Sequence, residues 1–238
     1  MYKYFAVAIF LLAACNNAGD SPTVPTKRMH IKHVSDLVKK GLNGSIKSVA
    51  YHYNVTAEKT GTGWQPGADR GGEYTVTYEY DTAGFLKSIS STSETTTYYY
   101  SNGVLSYSER SEFGDKAFKG YVDWSDSLTV NIKEYFKHPD SANPPVLYQT
   151  ITENYYPNYR LRECTRHRDS SRFEPFDLYQ LHKYGAEDAT DTIINKDGTI
   201  YFIATVIKKD EKGNPVEILV HVPDWEQTTF TIAEYKYY

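Results

Sequence analysis

The chain has 238 residues, of which 23 are tyrosine, with 15% aromatic and 24% charged residues and a formal net charge of −4. That length allows one domain or at most two, and the slightly acidic balance gives no electrostatic case for a nucleic-acid partner. A mean hydropathy of −0.59 alongside so many amphipathic rings points to half-buried sheet faces rather than an aliphatic helical core.

At the start of the chain, Met1-Tyr2-Lys3 precedes an apolar run from Tyr4 to Leu12, and Leu12-Ala13-Ala14-Cys15 then gives way to polar Asn16-Asn17. The run is too short for a membrane-spanning helix, which needs about 20 residues, and residues 1–14 have the layout of a signal peptide. Leu12-Ala13-Ala14-Cys15 resembles the lipobox of bacterial lipoproteins. That resemblance implies a mature chain beginning at Cys15, lipidated there and held to a membrane at the cell envelope. Asn16, where an Asp would signal retention, resembles lipoproteins sent on to the outer membrane of a Gram-negative-type bacterium. With Cys15 acylated, Cys164 is the one remaining thiol, so no intrachain disulfide forms and stability rests on packing.

Residues 15–29 are rich in Asn, Gly, Ser, Pro and Thr without apolar periodicity, which reads as a flexible tether to a domain spanning 30–238. Ile31, Val34, Leu37, Val38 and Leu42 are spaced for a short helix ending at Gly41 or Gly44. The first strand opens near Ile46 and runs through Tyr51 and Tyr53. Thr56 to Gly72 contains five glycines with Trp64 and Pro66 and reads as a long loop. Tyr74, Val76, Tyr78 and Tyr80 then alternate with Thr75, Thr77 and Glu79 before Asp81-Thr82-Ala83-Gly84, a strand and its turn. Tyr98 to Tyr107 repeats the pattern around Asn102-Gly103. Further hairpins are expected from Tyr121 to Phe136, around Pro157-Asn158, at Asn195 to Gly198 and at Asp210 to Asn214. Lys137 to Pro145 reads as a connection, Leu178 to Tyr184 as strand, and Thr228 to Tyr237 as the last strand.

Recurrence of such units near every twenty residues marks an array in which neighbouring hairpins complete one another. Tyr80-Asp81-Thr82-Ala83-Gly84-Phe85-Leu86 resembles the Tyr-Asp-x-x-Gly-Arg-Leu core of YD-repeat (RHS-like) proteins, in a degenerate form with Phe85 where the family has Arg. The resemblance implies sheet geometry for the domain. The expected fold is all-β: an extended, curved antiparallel sheet of roughly ten to fourteen strands, able to curl into a partly closed barrel, with one short N-terminal helix.

Candidate chemistry is sparse. Arg160, Arg162, Arg166 and Arg168 share one face of an ideal strand with Cys164, and guanidinium groups so placed can grip phosphate, sulfate or carboxylate. The competing reading pairs them with acidic residues on neighbouring strands. Cys164 and His167 fall on opposite faces, which argues against a zinc site. His30 and His33 have no second pair nearby, so no metal and no cofactor is expected. Gly61 to Gly67 lacks the helix that a phosphate loop needs. Trp64 could stack on a sugar or partner. No Gly-x-Ser-x-Gly elbow exists. The aromatic end Tyr235-Lys236-Tyr237-Tyr238 invites comparison with outer-membrane barrels, but strands alternating Tyr with Thr, Glu, Ser or Lys lack a lipid-facing band. The sequence therefore reads as non-catalytic binding of an envelope protein or glycan. The alternatives are an enzyme acting on envelope polysaccharide and an anion-binding module built on the arginine stripe.

Overall fold

The structure is a computed structural model, and it describes residues 34–68, 73–112, 115–126, 128–137, 143–168, 174–185 and 189–238. The signal segment, Cys15, the tether, His30 and His33 lie outside these residues. One short helix, α1 (Asp36–Lys39), precedes the strands β1 (Ile46–Thr60), β2 (Gly63–Pro66), β3 (Tyr74–Tyr80), β4 (Leu86–Ser90), β5 (Glu94–Ser101), β6 (Val104–Glu112), β7 (Asp115–Trp124) and β8 (Thr129–Phe136). They are followed by β9 (Val146–Tyr155), β10 (Leu161–Arg168), β11 (Phe176–Tyr184), β12 (Thr190–Ile194), β13 (Ile200–Lys209), β14 (Pro215–Val222) and β15 (Gln227–Tyr237).

From β3 to β15 each strand pairs with the next in sequence, β3 pairs with β1, and β15 also pairs with β1, from Ile46 opposite Tyr237 to Thr56 opposite Thr229. The expected all-β sheet is therefore present, and it closes completely: fourteen antiparallel strands form an up-and-down barrel and β2 adds a fifteenth on the far end of β1. Closure removes the exposed edges an open sheet would carry.

The turns explain why these residues form hairpins. Asp81 Oδ1 accepts from the backbone N–H of Ala83 and Phe85, and Asp210 Oδ1 from those of Lys212 and Asn214. Gly84, Gly198 and Gly213 close their turns at φ of 84, 89 and 85°, a left-handed conformation in which a side chain would clash with its own backbone. Tyr159, at φ 70°, takes the same place in the β9–β10 turn without being glycine.

Two expectations are corrected. Thr56 to Gly72 is not one long loop: β1 continues to Thr60, turns, and pairs with β2 from Ala57 opposite Pro66 to Thr60 opposite Gly63. The glycines at 61 and 63 serve a tight hairpin instead. The helix is also shorter than its apolar spacing suggests, because Ser35 caps it by accepting from Val38 N–H and Gly41 ends it at φ 60°.

The strand directions put the β3–β4, β5–β6, β9–β10 and β13–β14 turns, with the start of β1, at one end of the barrel. At that end α1 lies across the opening. Leu37 N–H donates to Gly84 O at 3.1 Å, and Asp36 Oδ2 accepts from Leu86 N–H at 2.8 Å and from the Tyr100 hydroxyl at 2.7 Å. One side of the interior, under β1, β3 and β12–β15, is packed solid around Ile46, Val49, Tyr51, Tyr80, Ile193, Phe202, Ile218 and Ala233. Under β5–β11 it is hollow.

Candidate functional site: the barrel lumen

Eight strands suffice to fill a small barrel with its own side chains, and sixteen to eighteen leave an aqueous channel. A ring of fourteen lies between these cases, and its packed side leaves a cavity of about 1450 Å³ on the other. Its floor is α1 and the start of the next turn, with Asp36, Lys39 and Lys40 facing inward. Its opposite end is bordered by Ser91 to Glu94, Glu174 to Phe176, Trp225 and Gln227 to Thr229. The lumen is thus a cup whose mouth lies at the end away from the N-terminal segment.

The wall combines rings with charges. Tyr53, Tyr74, Tyr78, Tyr98, Tyr100, Tyr148, Tyr155 and Tyr184 line it. Burial, reinforced at Tyr98 by Tyr78, Glu153 and Asp36 and at Tyr155 by Glu153, which accepts its hydroxyl, and by Asp36, raises both hydroxyls well above the tyrosine range, so both stay protonated donors. At the floor, the Lys40 ammonium lies 4.0 Å from the centre of the Tyr78 ring, and burial lowers its pKa to about 8 against the opposing pull of Asp36 and Glu153.

Two groups of arginines differ sharply. Arg110 on β6 is held by Glu134 through Nε at 3.0 Å and Nη2 at 3.2 Å, by Glu112, and by Glu94 at 3.7 Å, with its guanidinium 3.7 Å over the Phe118 ring. Gln149 Nε2 donates to the same Glu134 at 2.7 Å. Burial raises the Glu94 carboxyl pKa, an effect that Arg110 and, less strongly, Arg166 oppose. On the wall formed by β10, Arg168 lies 4.1 Å over Tyr148 and 5.4 Å over Phe176, and Arg166 bonds the Cys164 side chain. Among the described residues no carboxylate stands within ion-pair distance of Arg166 or Arg168, and the Nε of each is buried without a hydrogen-bond partner.

The four-arginine stripe is therefore corrected. Arg160, Arg166 and Arg168 line the lumen, whereas Arg162 is exposed on the outside beside Glu163, 3.8 Å away. The cause is a β-bulge: β10 pairs Leu161 with Tyr155 and Glu163 with Asn154, leaving Arg162 without an opposite number and turning it outward. Arg160 lies 4.3 Å over the Tyr184 ring. Cys164 is buried, and burial pushes its thiol up to about 11, with Glu153 adding to the shift, which leaves it a poor nucleophile. His167 faces out against Asp177 at 2.6 Å, on the opposite face from Cys164 as alternation requires. Trp64 stands on β2 opposite Lys59, 39% exposed and away from the lumen.

Trp225, 53% exposed in a one-turn helix at the mouth, was not singled out by the sequence, and neither was Arg110 with its carboxylates. A signal for the second existed. Ser108, Arg110 and Glu112 alternate with Tyr107, Glu109 and Ser111, so β6 has two polar faces and cannot lie on an apolar core. A His–carboxylate pair is also present, His182 Nδ1 to Asp191 Oδ2 at 2.9 Å, but both residues are sealed at 1% and 0% exposure and do not border the cavity.

Outside, the strands carry Thr95, Glu109, Lys119, Asp123, Lys133, Asp177 and Lys183. A membrane barrel presents an apolar band about 25 Å tall, and a lysine at the bilayer midplane costs about 2–4 kcal/mol. These charged and polar residues stand among the exposed Tyr121, Leu147 and Ile207. No helix among the described residues is long and apolar enough to cross a membrane.

No protein-family model matches the chain, and no curated protein matches it. Among solved structures it is similar to a porin-like protein from Bacteroides uniformis, at 12% identity and a TM-score of 0.34, over 79% of this chain and 60% of that one. It is also similar to a LolA superfamily protein from Nitrosomonas europaea, at 8% identity and a TM-score of 0.26, over 87% and 92% of the two chains. The chain thus spans about 60% of the length of the porin-like chain.

Proposed function

We propose that the protein is a non-catalytic binding protein of the cell envelope, tethered through lipid on Cys15, whose barrel takes an amphipathic anion into its lumen. The observation that carries this reading is the contrast between the two arginine groups. Arg110 is bonded or ion-paired to three glutamates, whereas Arg166 and Arg168 face the cavity with no carboxylate at ion-pair distance, Glu94 acting on Arg166 only across space. Burying cations without a bonded counter-ion is costly, so such a pair favours an anion that enters and bonds them. The tyrosines supply ring faces for an apolar body and hydroxyls for scattered polar groups. At about 1450 Å³ the lumen exceeds the 300–1,000 Å³ usual for compact ligands and suits an elongated one. The described residues begin at Val34, beside α1 at the floor end, so a barrel held to a membrane through the residues before it would turn its mouth away from the bilayer.

An enzyme acting on polysaccharide needs two carboxylates flanking the bond it cuts. Glu94, Glu112 and Glu134 converge instead on one guanidinium from β5, β6 and β8 of the same wall. Binding is therefore the reading favoured here.

The test is a fluorescence titration with anilinonaphthalene sulfonate, an aromatic sulfonate of the required character. The full chain should bind it saturably, and Arg166→Gln with Arg168→Gln should weaken binding at least tenfold at unchanged melting temperature. Equal binding by the double variant would remove the anion from the proposal. Hydrolysis of a glycan or ester panel by the purified protein would replace binding with catalysis. Envelope attachment has its own check: Cys15→Ala should release the protein from the membrane fraction, and retention there would overturn the tether.

A further inference from the structure

The lumen is divided along its axis. Leu86, Leu105, Trp124, Val130 and Leu161 stand at the floor ends of β4, β6, β7, β8 and β10, and all of them border the cavity. The polar atoms in this half are already bonded within the wall. The hydroxyls of Tyr100, Tyr155 and Tyr184 donate to Asp36 at 2.7 Å, to Glu153 at 2.7 Å and to Leu161 O at 3.0 Å, and Trp124 Nε1 donates to Leu105 O at 3.4 Å. Lys39 pairs with Asp36 at 3.1 Å, and Lys40 and Arg160 lie over the Tyr78 and Tyr184 rings. What this half turns to the cavity is therefore ring faces and methyl groups. Toward the mouth the wall is charged, with Arg110 among its glutamates on one side and Arg166 and Arg168 on another.

We infer that the floor half holds acyl chains, and that the occupant of the lumen is a two-chain lipid whose phosphate head stays at Arg166 and Arg168. The inference rests on the reading of the lumen as an anion-binding cavity and adds the body to which the anion is attached. A sugar or peptide body would bury hydroxyls or amides against a wall whose own donors are taken, leaving them unpaired. Hydrocarbon needs no such partners, and its removal from water is favourable in proportion to the area covered. Depth sets the chain length. From Leu161 to Arg166 the strand extends roughly 17 Å. An extended chain with C–C bonds of about 1.5 Å advances about 1.3 Å per carbon, which places about a dozen carbons between the arginines and the floor. Width sets the number of chains. A methylene fills roughly the 30 Å³ of a water molecule, so one such chain takes about a quarter of the 1450 Å³. With the mouth half given to the head group, two chains fill what remains.

The test uses the full chain carrying Cys15→Ala, kept free of detergent, with Trp64→Phe and Trp225→Phe so that Trp124 at the floor is the remaining tryptophan. Didodecanoyl phosphatidic acid brominated at its chain ends should quench Trp124 fluorescence by at least half, while the same lipid brominated beside the glycerol should leave it nearly unchanged. Dissociation constants for dibutanoyl, dihexanoyl and dioctanoyl phosphatidic acid should fall at least tenfold at each step. Octanoyl lysophosphatidic acid should bind at least tenfold more weakly than the dioctanoyl lipid. Equal affinity across the series, quenching by the head-side bromine alone, or equal binding of the single-chain lipid would each overturn the inference. Retained binding of anilinonaphthalene sulfonate in those cases would leave the anion site standing without its lipid. If neither the lipids nor the sulfonate bind, the anion site itself falls, and the inference with it.

Discussion

The two sides of this barrel use the same residue for opposite ends. Under β1, β3 and β12–β15, tyrosines such as Tyr51 and Tyr80 are buried among Ile46, Val49 and Ile218 at 2% and 1% exposure. Under β5–β11, Tyr98, Tyr148 and Tyr155 line an open space and share it with arginine and glutamate. What separates the two is the neighbouring residue on the inward face. Where β12–β15 supply Ile, Val, Phe and Ala, the rings have aliphatic partners and the space closes. Where β6, β8, β9 and β10 supply Arg110, Glu134, Glu153 and Arg166, charges hold the walls apart because collapse would desolvate them.

The largest effect that can break this comparison is alkaline unfolding. Burial raises the Tyr78 hydroxyl to about 12 and drives those of Tyr53 and Tyr80 well above the ordinary value of 10.0. The unfolded chain gives up these protons first, so the stability is fully present below pH 10 and is lost as the pH climbs toward 12. Each unit of displacement corresponds to about 1.4 kcal/mol, and several such rings together rival the 5–15 kcal/mol that stabilises a domain. The loss of circular dichroism should come in one step at about pH 11, together with the last part of the tyrosinate absorbance, because exposed rings such as Tyr121 ionise without unfolding. All of the tyrosinate absorbance appearing before any loss of structure would mean that these buried rings are open to water.

A matched pair of truncations sharpens the contrast. Tyr80→Ala should cost about 3–5 kcal/mol in urea unfolding, the usual loss for a large ring removed from a packed core. Tyr98→Ala, which only enlarges an existing space, should cost about 1 kcal/mol. Equal losses would show that the hollow side is packed in solution. An effect no larger than that of Tyr80→Ala should separate the two arginine groups. Arg110→Met should destabilise by about 3 kcal/mol because it strands Glu134, which is 8% exposed. Adding Glu134→Gln should restore part of that loss, and no restoration would mean that the arginine matters through its packing on Phe118 rather than its charge.

Much of the sheet was legible because hairpin turns are local chemistry. Asp81 to Gly84, Asn102-Gly103 and Asp210 to Asn214 each carry the side-chain acceptor or the glycine that their geometry demands, and alternation around them fixed which face was covered. Closure was not legible, since pairing Ile46 with Tyr237 joins segments from opposite ends of the domain and leaves no mark on either. The lumen was hidden for a related reason: an inward tyrosine looks the same in sequence whether its neighbour across the barrel is Ile218 or Glu153. Arg162 was misplaced because strict alternation cannot anticipate a bulge, and the only local sign, Tyr159 in a left-handed conformation, is not a glycine. The β1–β2 hairpin was missed because its glycines were read as permissive rather than as a turn.

The pairing of β1 with β15 also has a kinetic side. From the moment β1 forms, its backbone amides and carbonyls on that flank wait for a strand that is synthesised after all the others. Closing so long a loop adds only a logarithmic entropic cost to stability, but such distant contacts slow folding by orders of magnitude. During that delay two bare strand edges can join other chains. A chain interrupted before Gln227 never escapes this state, so partial products should aggregate under conditions where the whole chain does not.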